Sequence, residues 1–168
     1  MNKFLSLLII VCFVSVVTAQ NASKAMNKPM PNAKIKDANG KPVDLSVYTN
    51  AGKITVVSFW ATWCGPCKME LDAYKTHFQD WAKKYGTQFL AISIDDFRNQ
   101  AKINPLVAQK GWPYTILMDG NSDMQRQLGF NSIPQLYLLD KKGNIVYQSN
   151  GYIKGAEKEL EDKMAALK

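Results

Sequence analysis

The sequence predicts an α/β protein whose central sheet is mixed, with both parallel and antiparallel strands. Short β-branched apolar runs alternate with helical segments, which is the order expected of parallel β-α-β units. The last two runs are separated only by the turn 141–144, so we expect them to pair as an antiparallel hairpin. A chain of 168 residues is long enough for one domain with a hydrophobic core and too short for two ordinary ones.

The N-terminus has the layout of a secretory signal peptide, which we assign to residues 1–19. One lysine precedes the apolar stretch 4–17, and small residues follow, with cleavage expected after Ala19. The stretch is shorter than the ~20 residues that span a bilayer, which favours cleavage over a retained membrane anchor. A lipid-modified Cys12 is a weaker alternative, because Val11 stands where a lipoprotein signal has a small residue. We therefore expect a periplasmic or secreted protein.

The composition does not favour binding to nucleic acid. The chain has 21 basic and 14 acidic residues and a formal net charge of +7. Removal of the signal peptide deletes one lysine and no acid, which leaves about +6. The lysines are dispersed, and no basic run is interleaved with aromatic residues. We expect a mildly basic, solvated surface, a monomer, and no nucleic-acid partner.

Residues 20–33 are expected to be a flexible lead-in, because they are polar, contain prolines and show no periodicity. The folded domain is expected to span residues 34–168. It should begin with a short β-hairpin, whose strands at 33–37 and 42–45 are joined by a turn that contains Gly40.

A central strand, a long helix and a second strand are expected next. Residues 54–60 are β-branched and almost wholly apolar, as in a strand covered on both faces. A helix should run from the cysteines to about residue 85, end at Gly86, and be followed by a buried strand at 88–94. Its expected core positions recur every three or four residues and are Met69, Tyr74, Phe78, Trp81 and Tyr85.

The second half of the chain continues the alternation. The expected elements are a helix at 99–110, a strand at 112–118, a short helix at 122–128, hairpin strands at 135–140 and 145–148, and a final helix at 155–168. Pro105 lies inside the first of these helices and obscures its start. Leu160, Met164 and Leu167 share one face of the last helix, so we expect that face to pack on the domain.

Cys64 and Cys67 lie two residues apart at the expected N-terminus of the long helix. Outside the cytoplasm such a pair is expected to form a disulfide. A bridge that closes so short a loop removes little entropy from the unfolded chain, so a purely structural staple is disfavoured. A metal site would need further ligands, but Cys12 is lost with the signal peptide and the only histidine, His77, is expected on a helix surface. We expect a reversible redox couple without metal or organic cofactor.

The helix N-terminus assigns different roles to the two thiols. The helix dipole and the free N–H groups there favour negative charge, so Cys64 is expected to be the nucleophilic thiolate. Cys67, one turn further in, is expected to resolve the mixed disulfide by attacking Cys64. Gly65 should let the two sulfurs approach closely, and Pro66 suits the first helical turn.

The segment FWATWCGPCK, residues 59–68, resembles the active-site segment of thioredoxins, and the order of elements from about Lys53 onward is similar to that fold. The N-terminal hairpin, the additional stretch 95–118 and the signal peptide resemble the exported TlpA- and ResA-like thiol–disulfide oxidoreductases, which are often linked to cytochrome c maturation. The resemblance covers roughly 135 residues. It implies a three-layer α/β/α fold with an N-terminal β-hairpin extension and an inserted helix-strand segment.

The resemblance implies further site residues. Pro134 matches the cis-proline that faces the dithiol in this fold, where it would expose the backbone of Ile133 for pairing with a substrate segment. Thioredoxins carry a buried aspartate where this chain has Ser58, which cannot accept a proton. Glu70 matches a glutamate of the ResA-like branch and would take that role, with its pKa raised if it is buried. The alternative is an outward-facing glutamate that favours the helix dipole.

Four other residues bear on packing and partner docking. Asp72 stands where relatives usually have a proline that kinks the helix, so we expect a straighter helix. Gln135 replaces the threonine that usually follows the cis-proline. Trp63 is expected to form part of a flat apolar rim for protein substrates, whereas Trp60 is equally compatible with core packing.

The expected function is exchange of the Cys64–Cys67 couple with protein thiols or disulfides outside the cytoplasm. The Gly-Pro spacer, of thioredoxin type, favours a reductant, which would need a membrane electron donor there. Two alternatives stay open. A thiol peroxidase would need an arginine near its cysteine, and Arg98 and Arg126 are the only arginines. A non-enzymatic module would use the groove near Pro134 to hold unfolded chains, and would keep its activity in Cys64→Ser.

Overall fold

The computed structural model describes residues 27–168, so the expected signal peptide and the first half of the expected lead-in lie outside the described residues. The strands are β1 (Lys28–Pro29), β2 (Lys34–Asp37), β3 (Pro42–Asp44), β4 (Thr55–Trp60), β5 (Gln88–Ser93), β6 (Thr115–Met118), β7 (Gln135–Leu139) and β8 (Asn144–Asn150). The helices are α1 (Ser46–Thr49), α2 (Gly65–Tyr85), α3 (Ile103–Lys110), α4 (Asp123–Leu128) and α5 (Ala156–Ala165). Over residues 27–168, no helix has the length and apolar character needed to cross a bilayer.

The strands of the described region form one mixed sheet in the order β1-β8-β7-β4-β5-β6-β2-β3. The central strands β4, β5 and β6 are mutually parallel, and β7 runs antiparallel to β4. The outer pairs are antiparallel: β1 with β8, β7 with β8, β2 with β6, and β2 with β3. The predicted mixed sheet, terminal hairpin and N-terminal hairpin are confirmed.

Strand β4 is buried along its whole length, because helices cover both faces of the sheet. On one face Val56 and Trp60 join a core that includes residues of α2, α3 and α5. On the other face Val57 and Phe59 join a second core that includes Met124 of α4. The predicted three-layer α/β/α architecture is confirmed, and the carboxyl end of β4 is a firmly packed base for the residues that follow it.

Helix α2 is unbroken from Gly65 to Tyr85 and ends at Gly86, whose φ of 68° lies in the left-handed region that favours glycine. The expectation that Met69 belongs to the core is wrong, since its side chain is 56% exposed. The buried stripe of the first turns runs instead through Glu70, Leu71 and Tyr74. Met69 precedes this stripe by one residue and so turns about 100° away from it.

Residues 28–30 already belong to the sheet and the core, so the expected start of the folded domain at residue 34 is too late. Lys28 and Pro29 pair with Ile145 and Asn144 at the edge of the sheet, where a proline is tolerated. Met30 is buried in the second core. A two-residue edge strand has no periodicity of its own, which is why the sequence pattern did not indicate it.

Other elements also differ from the prediction. The short helix α1 was not expected. The strand expected at 112–118 is reduced to β6, although Trp112 and Tyr114 just before it are buried. A 3₁₀ turn at Gln100–Lys102 leads into α3, and Pro105 lies in the first turn of α3, where its missing N–H costs nothing.

Met30→Ala is expected to lower the free energy of unfolding by about 2 kcal/mol, because it removes a side chain buried in the second core. Met69→Ala is the matched control and should change it by less than about 0.5 kcal/mol, since that methionine is exposed. Urea unfolding of the mature chain measures both values. Equal effects of the two substitutions would contradict the assignment of residue 30 to the folded domain.

Candidate active site

The two cysteines lie at the start of α2, just after the end of β4. Cys64 is the N-cap residue of α2, and its Sγ accepts a hydrogen bond from the backbone N–H of Cys67 at 3.2 Å. The two sulfurs form a disulfide of 2.04 Å, with the Cα atoms 5.4 Å apart. Cys64 is 5% exposed, whereas Cys67 is fully buried. A partner molecule therefore meets the sulfur of Cys64 first.

The surroundings of Cys64 favour negative charge on its sulfur in the reduced protein. The helix N-terminus presents free N–H groups there, and the first turn of α2 carries no acidic residue. The ammonium group of Lys68 donates to the carbonyl oxygen of Thr62 at 3.1 Å, which holds a positive charge on the same loop. Positive potential of this kind stabilises a thiolate, which is the nucleophilic form of cysteine.

Of the two residues between the cysteines, Pro66 lies where it was expected, but Gly65 does not have the expected role. Pro66 lies at the start of α2, as predicted. The reason expected for Gly65 is wrong, because its φ is not in the left-handed region and an added Cβ would meet no atom within 4 Å. The approach of the two sulfurs does not require glycine there, and the surface above Gly65 is open.

The Ile133–Pro134 peptide bond faces the disulfide and is cis, as predicted. The carbonyl oxygen of Ile133 lies 3.9 Å from Sγ of Cys64. Pro134 is buried and Ile133 is half-buried. The backbone before the cis-proline therefore lies directly beside the accessible sulfur.

A groove of about 290 Å³ extends from this point along the surface. It is lined by Trp63, Ile94, Gln125, Asn131, Ser132 and Ile133. Trp63 is 64% exposed, and its indole lies in this lining. The lining contains no charged side chain, which suits an uncharged segment of a partner.

Glu70 is buried on the inner side of the disulfide, one helical turn beyond Cys67. Only 1% of the residue is exposed, and its Oε2 accepts a hydrogen bond of 2.7 Å from the hydroxyl of Ser58 on β4. Burial raises the pKa of Glu70 from 4.5 to about 7, although the Ser58 hydrogen bond acts in the opposite direction. The alternative of an outward-facing glutamate is wrong, and the buried acid implied by the resemblance is present.

Asp95, the residue that follows the expected strand 88–94, also belongs to the site. It is fully buried, and its two carboxylate oxygens accept hydrogen bonds of 2.8 Å from the backbone N–H and the hydroxyl of Thr62. The hydroxyl of Ser93 donates to the same carboxylate at 2.7 Å. Asp95 thus holds the loop that carries Trp63 and Cys64. An acidic residue directly after a buried strand that is parallel to β4 was the available signal.

Asp72 connects α2 to the inserted segment. Its carboxylate accepts hydrogen bonds from the ammonium of Lys110 at 2.6 Å and from the indole N–H of Trp112 at 2.8 Å. Trp112 in turn packs edge-on against Trp60, with ring centroids 5.1 Å apart. Trp60 is fully buried and belongs to the core. Helix α2 continues through Asp72 without a break.

His77 is exposed on α2, as predicted. Its ring stacks against that of Trp81, with the centroids 5.6 Å apart. Within residues 27–168, no three His, Cys, Asp or Glu side chains come together in an arrangement suited to a metal ion.

A disulfide at a helix N-terminus, opposite a cis-proline in a three-layer α/β/α fold, defines a thioredoxin-fold thiol–disulfide oxidoreductase. The AhpC/TSA family matches residues 26–148, and the chain belongs to that family as an oxidoreductase of the TlpA/ResA-like type. Because the chain belongs to this class of enzymes, the alternative of a non-enzymatic binding module is excluded.

Relatives and solved structures agree with this assignment. The thiol-disulfide oxidoreductase ResA of Bacillus subtilis (strain 168) is 23% identical over 167 residues, covering 96% of this chain and 89% of that protein. An uncharacterized thioredoxin-like protein from Porphyromonas gingivalis superposes with a TM-score of 0.73 and 38% identity, over 84% of this chain and 94% of that one. A putative thiol:disulfide interchange protein DsbE from Chlorobium tepidum superposes with a TM-score of 0.74 and 25% identity, over 84% of this chain and 96% of that one.

The raised pKa of Glu70 makes stability depend on pH in a defined direction. The unfolded chain releases this proton near pH 4.5 and the folded chain near pH 7, so the folded state binds more protons between these values and stability falls as pH rises. Between about pH 4 and about pH 8, the free energy of unfolding of the oxidised wild type should fall by about 3 kcal/mol relative to that of Glu70→Gln. Denaturant unfolding across this range measures the difference.

Glu159→Gln is the matched control, because Glu159 is exposed on α5. We expect it to reproduce the pH profile of the wild type. A Glu70→Gln profile parallel to that of the wild type would contradict the raised pKa.

Proposed function

We propose that this protein exchanges its Cys64–Cys67 couple with protein substrates outside the cytoplasm, and that it acts as a reductant. One observation carries the proposal: the more accessible sulfur of a buried disulfide lies 3.9 Å from the carbonyl oxygen of Ile133, beside an uncharged groove. An extended substrate segment can pair with that backbone while its own sulfur approaches Cys64.

The reaction transfers two electrons in two exchange steps. The Cys64 thiolate attacks a substrate disulfide, forms a mixed disulfide and releases one substrate thiol. Cys67 then attacks Sγ of Cys64, which releases the second substrate thiol and leaves the Cys64–Cys67 disulfide. The substrate has been reduced and the enzyme oxidised.

Glu70 is proposed to take the proton from Cys67 in the second step. Cys67 is fully buried, so its thiol has no direct contact with bulk water, and Glu70 is the buried acid one turn further along the same helix. A carboxyl group with a pKa of about 7 can both accept and release a proton near neutral pH. Ser58 orients this carboxylate through its hydrogen bond.

The proposed direction and location depend on two features of the sequence. The spacer Gly65-Pro66 is of the thioredoxin type, which favours reduction of substrates, and residues 1–19 have the layout of a cleaved signal peptide. A reductant outside the cytoplasm must be recharged, so the proposal includes a membrane protein that supplies electrons as a dithiol. A link to cytochrome c maturation is a proposal carried over from the ResA-like branch.

Cys67→Ala expressed with the full N-terminal segment is expected to accumulate mixed disulfides with exported proteins, because the resolving thiol is missing. The trapped partners, identified by mass spectrometry after non-reducing purification, should be its substrates. Cys64→Ala is the control and should trap no partners. Partners attached equally to both variants would contradict the assignment of roles.

Glu70→Gln is expected to slow the resolution of a preformed mixed disulfide by about 10²-fold, because it removes the proton acceptor. Alkylation of Cys64 by iodoacetamide should be unchanged, since that sulfur lies at the helix N-terminus on the outer side. Stopped-flow measurement with a fluorescent leaving thiol separates the two steps.

Ser58→Ala provides the matched variant for this experiment. It keeps the carboxylate but removes the hydrogen bond that lowers the pKa of Glu70, so the pH profile of resolution should move to higher pH. Equal slowing of resolution and alkylation in Glu70→Gln would indicate general damage to the site and contradict the proposed role.

The thiol peroxidase alternative is less well supported by the site. The guanidinium of Arg126 pairs with Asp123 and with the carbonyl oxygen of Asn121, and that of Arg98 lies over the ring of Phe97. Over residues 27–168, neither arginine forms a hydrogen bond with Cys64. Rapid catalytic consumption of hydrogen peroxide by the purified, reduced protein would favour the peroxidase instead.

A further inference from the structure

The carboxamide of Asn150 spans the cis-proline loop from one side to the other. Asn150 is the last residue of β8 and faces Gln135, the first residue of β7. Its Nδ2 donates to the carbonyl oxygen of Ser132 and to Oε1 of Gln135, both at 3.0 Å, and its Oδ1 accepts from the hydroxyl of Ser132 at 2.9 Å. These bonds join the residues directly before and after Ile133–Pro134.

The orientation of this carboxamide is fixed by its partners. A backbone carbonyl can only accept, so the Nδ2 group must face Ser132, and each of its two N–H groups has its own acceptor. The backbone adds a further tie, since the N–H of Gly151 donates to the carbonyl oxygen of Pro134 at 2.8 Å. The loop is therefore held from both sides of the cis bond.

The bonds that Asn150 and Gly151 make to the loop leave the backbone of Ile133 available for pairing. Over residues 27–168, its N–H donates no hydrogen bond, and its carbonyl oxygen faces Sγ of Cys64 at 3.9 Å. An extended segment binds more tightly to backbone that is already ordered, because less conformational entropy is lost on binding. The bonds of Asn150 supply this order without occupying the backbone itself.

We infer that Asn150 and Gln135 are positioning residues that hold the Ile133 backbone for pairing with a substrate segment. The inference rests on the proposed function, because it concerns how a substrate is held at the same site. Both side chains act through the loop rather than on the sulfurs. Their loss is expected to weaken substrate binding and to leave the reactivity of Cys64 unchanged.

The test compares two substrates of the reduced enzyme, with dithiothreitol as the reductant. One is a ten-residue peptide closed by an internal disulfide, and the other is hydroxyethyl disulfide, which has no backbone to pair. Asn150→Ala should raise KM for the peptide about tenfold with kcat unchanged, as expected for the loss of three hydrogen bonds outside the reacting groups. The rate with hydroxyethyl disulfide should stay the same.

Asn150→Asp separates hydrogen bonding from packing. It keeps the size of the side chain and the acceptor for the Ser132 hydroxyl, but it removes both N–H donors and turns a negative oxygen toward the carbonyl of Ser132. Its KM for the peptide should rise at least as much as that of Asn150→Ala. Gln135→Ala removes one of the three bonds and should have a smaller effect in the same direction.

Asn144→Ala is the matched control at the opposite end of β8. Its Nδ2 donates to Oδ2 of Asp140 at 3.1 Å in the hairpin turn. This substitution should leave KM for the peptide unchanged even if it lowers thermal stability. If Asn150 only stabilised the fold, both Asn150→Ala and Asn144→Ala would leave KM for the peptide unchanged.

Hydrogen exchange provides a readout that does not depend on turnover. In Asn150→Ala the amide of Gly151, which donates to the carbonyl oxygen of Pro134, should exchange faster than in the wild type, with the rest of the sheet unaffected. Unchanged KM and unchanged exchange in Asn150→Ala, with normal turnover by the wild type, would overturn the inference alone. Failure of the wild type to reduce the peptide would instead overturn the proposed function, and this inference with it.

Discussion

The hydrogen bond from Ser58 to Glu70 joins the central strand to the long helix in the interior of the protein. Both residues are buried, and Glu70 has the hydroxyl of Ser58 as its hydrogen-bond donor at 2.7 Å. A carboxylate in such a place is costly, so the group holds its proton up to a pKa of about 7 instead of 4.5. The fold thus keeps an acid that titrates near neutrality one helical turn from the buried cysteine.

This arrangement divides the dithiol into an outer and an inner side. On the outer side, the helix N-terminus and the N–H of Cys67 favour negative charge on Cys64, next to the backbone of Ile133 and the exposed indole of Trp63. On the inner side, Cys67 and Glu70 are shielded from solvent. In the proposed reaction, substrate attack and proton transfer therefore use opposite sides of one disulfide, and each side has its own supporting residues.

The sequence predicted the parts of the site that are local in the chain. A buried strand followed by a cysteine pair at a helix start indicated the redox couple, because strand, turn and helix signals lie within about twenty residues. The burial of Glu70 was not decided by periodicity, since the apolar Met69 next to it competed for the core position and is exposed. The contacts of Asp95 with Thr62 and of Asn150 with Ser132 join residues far apart in the chain, and no single-segment pattern indicates them. The edge strand β1 is too short to carry a pattern.

The most direct test of this account is a titration of the Glu70 side-chain carboxyl by ¹³C NMR in the oxidised protein, with Glu70→Gln used to assign the signal. The account predicts a midpoint near pH 7, set by burial beside Ser58. It further predicts that the midpoint changes when the disulfide is reduced, because the surroundings of the Glu70 carboxyl then include a free thiol at Cys67 in place of the disulfide. A midpoint near the ordinary value of 4.5 that is the same in both redox states would contradict it.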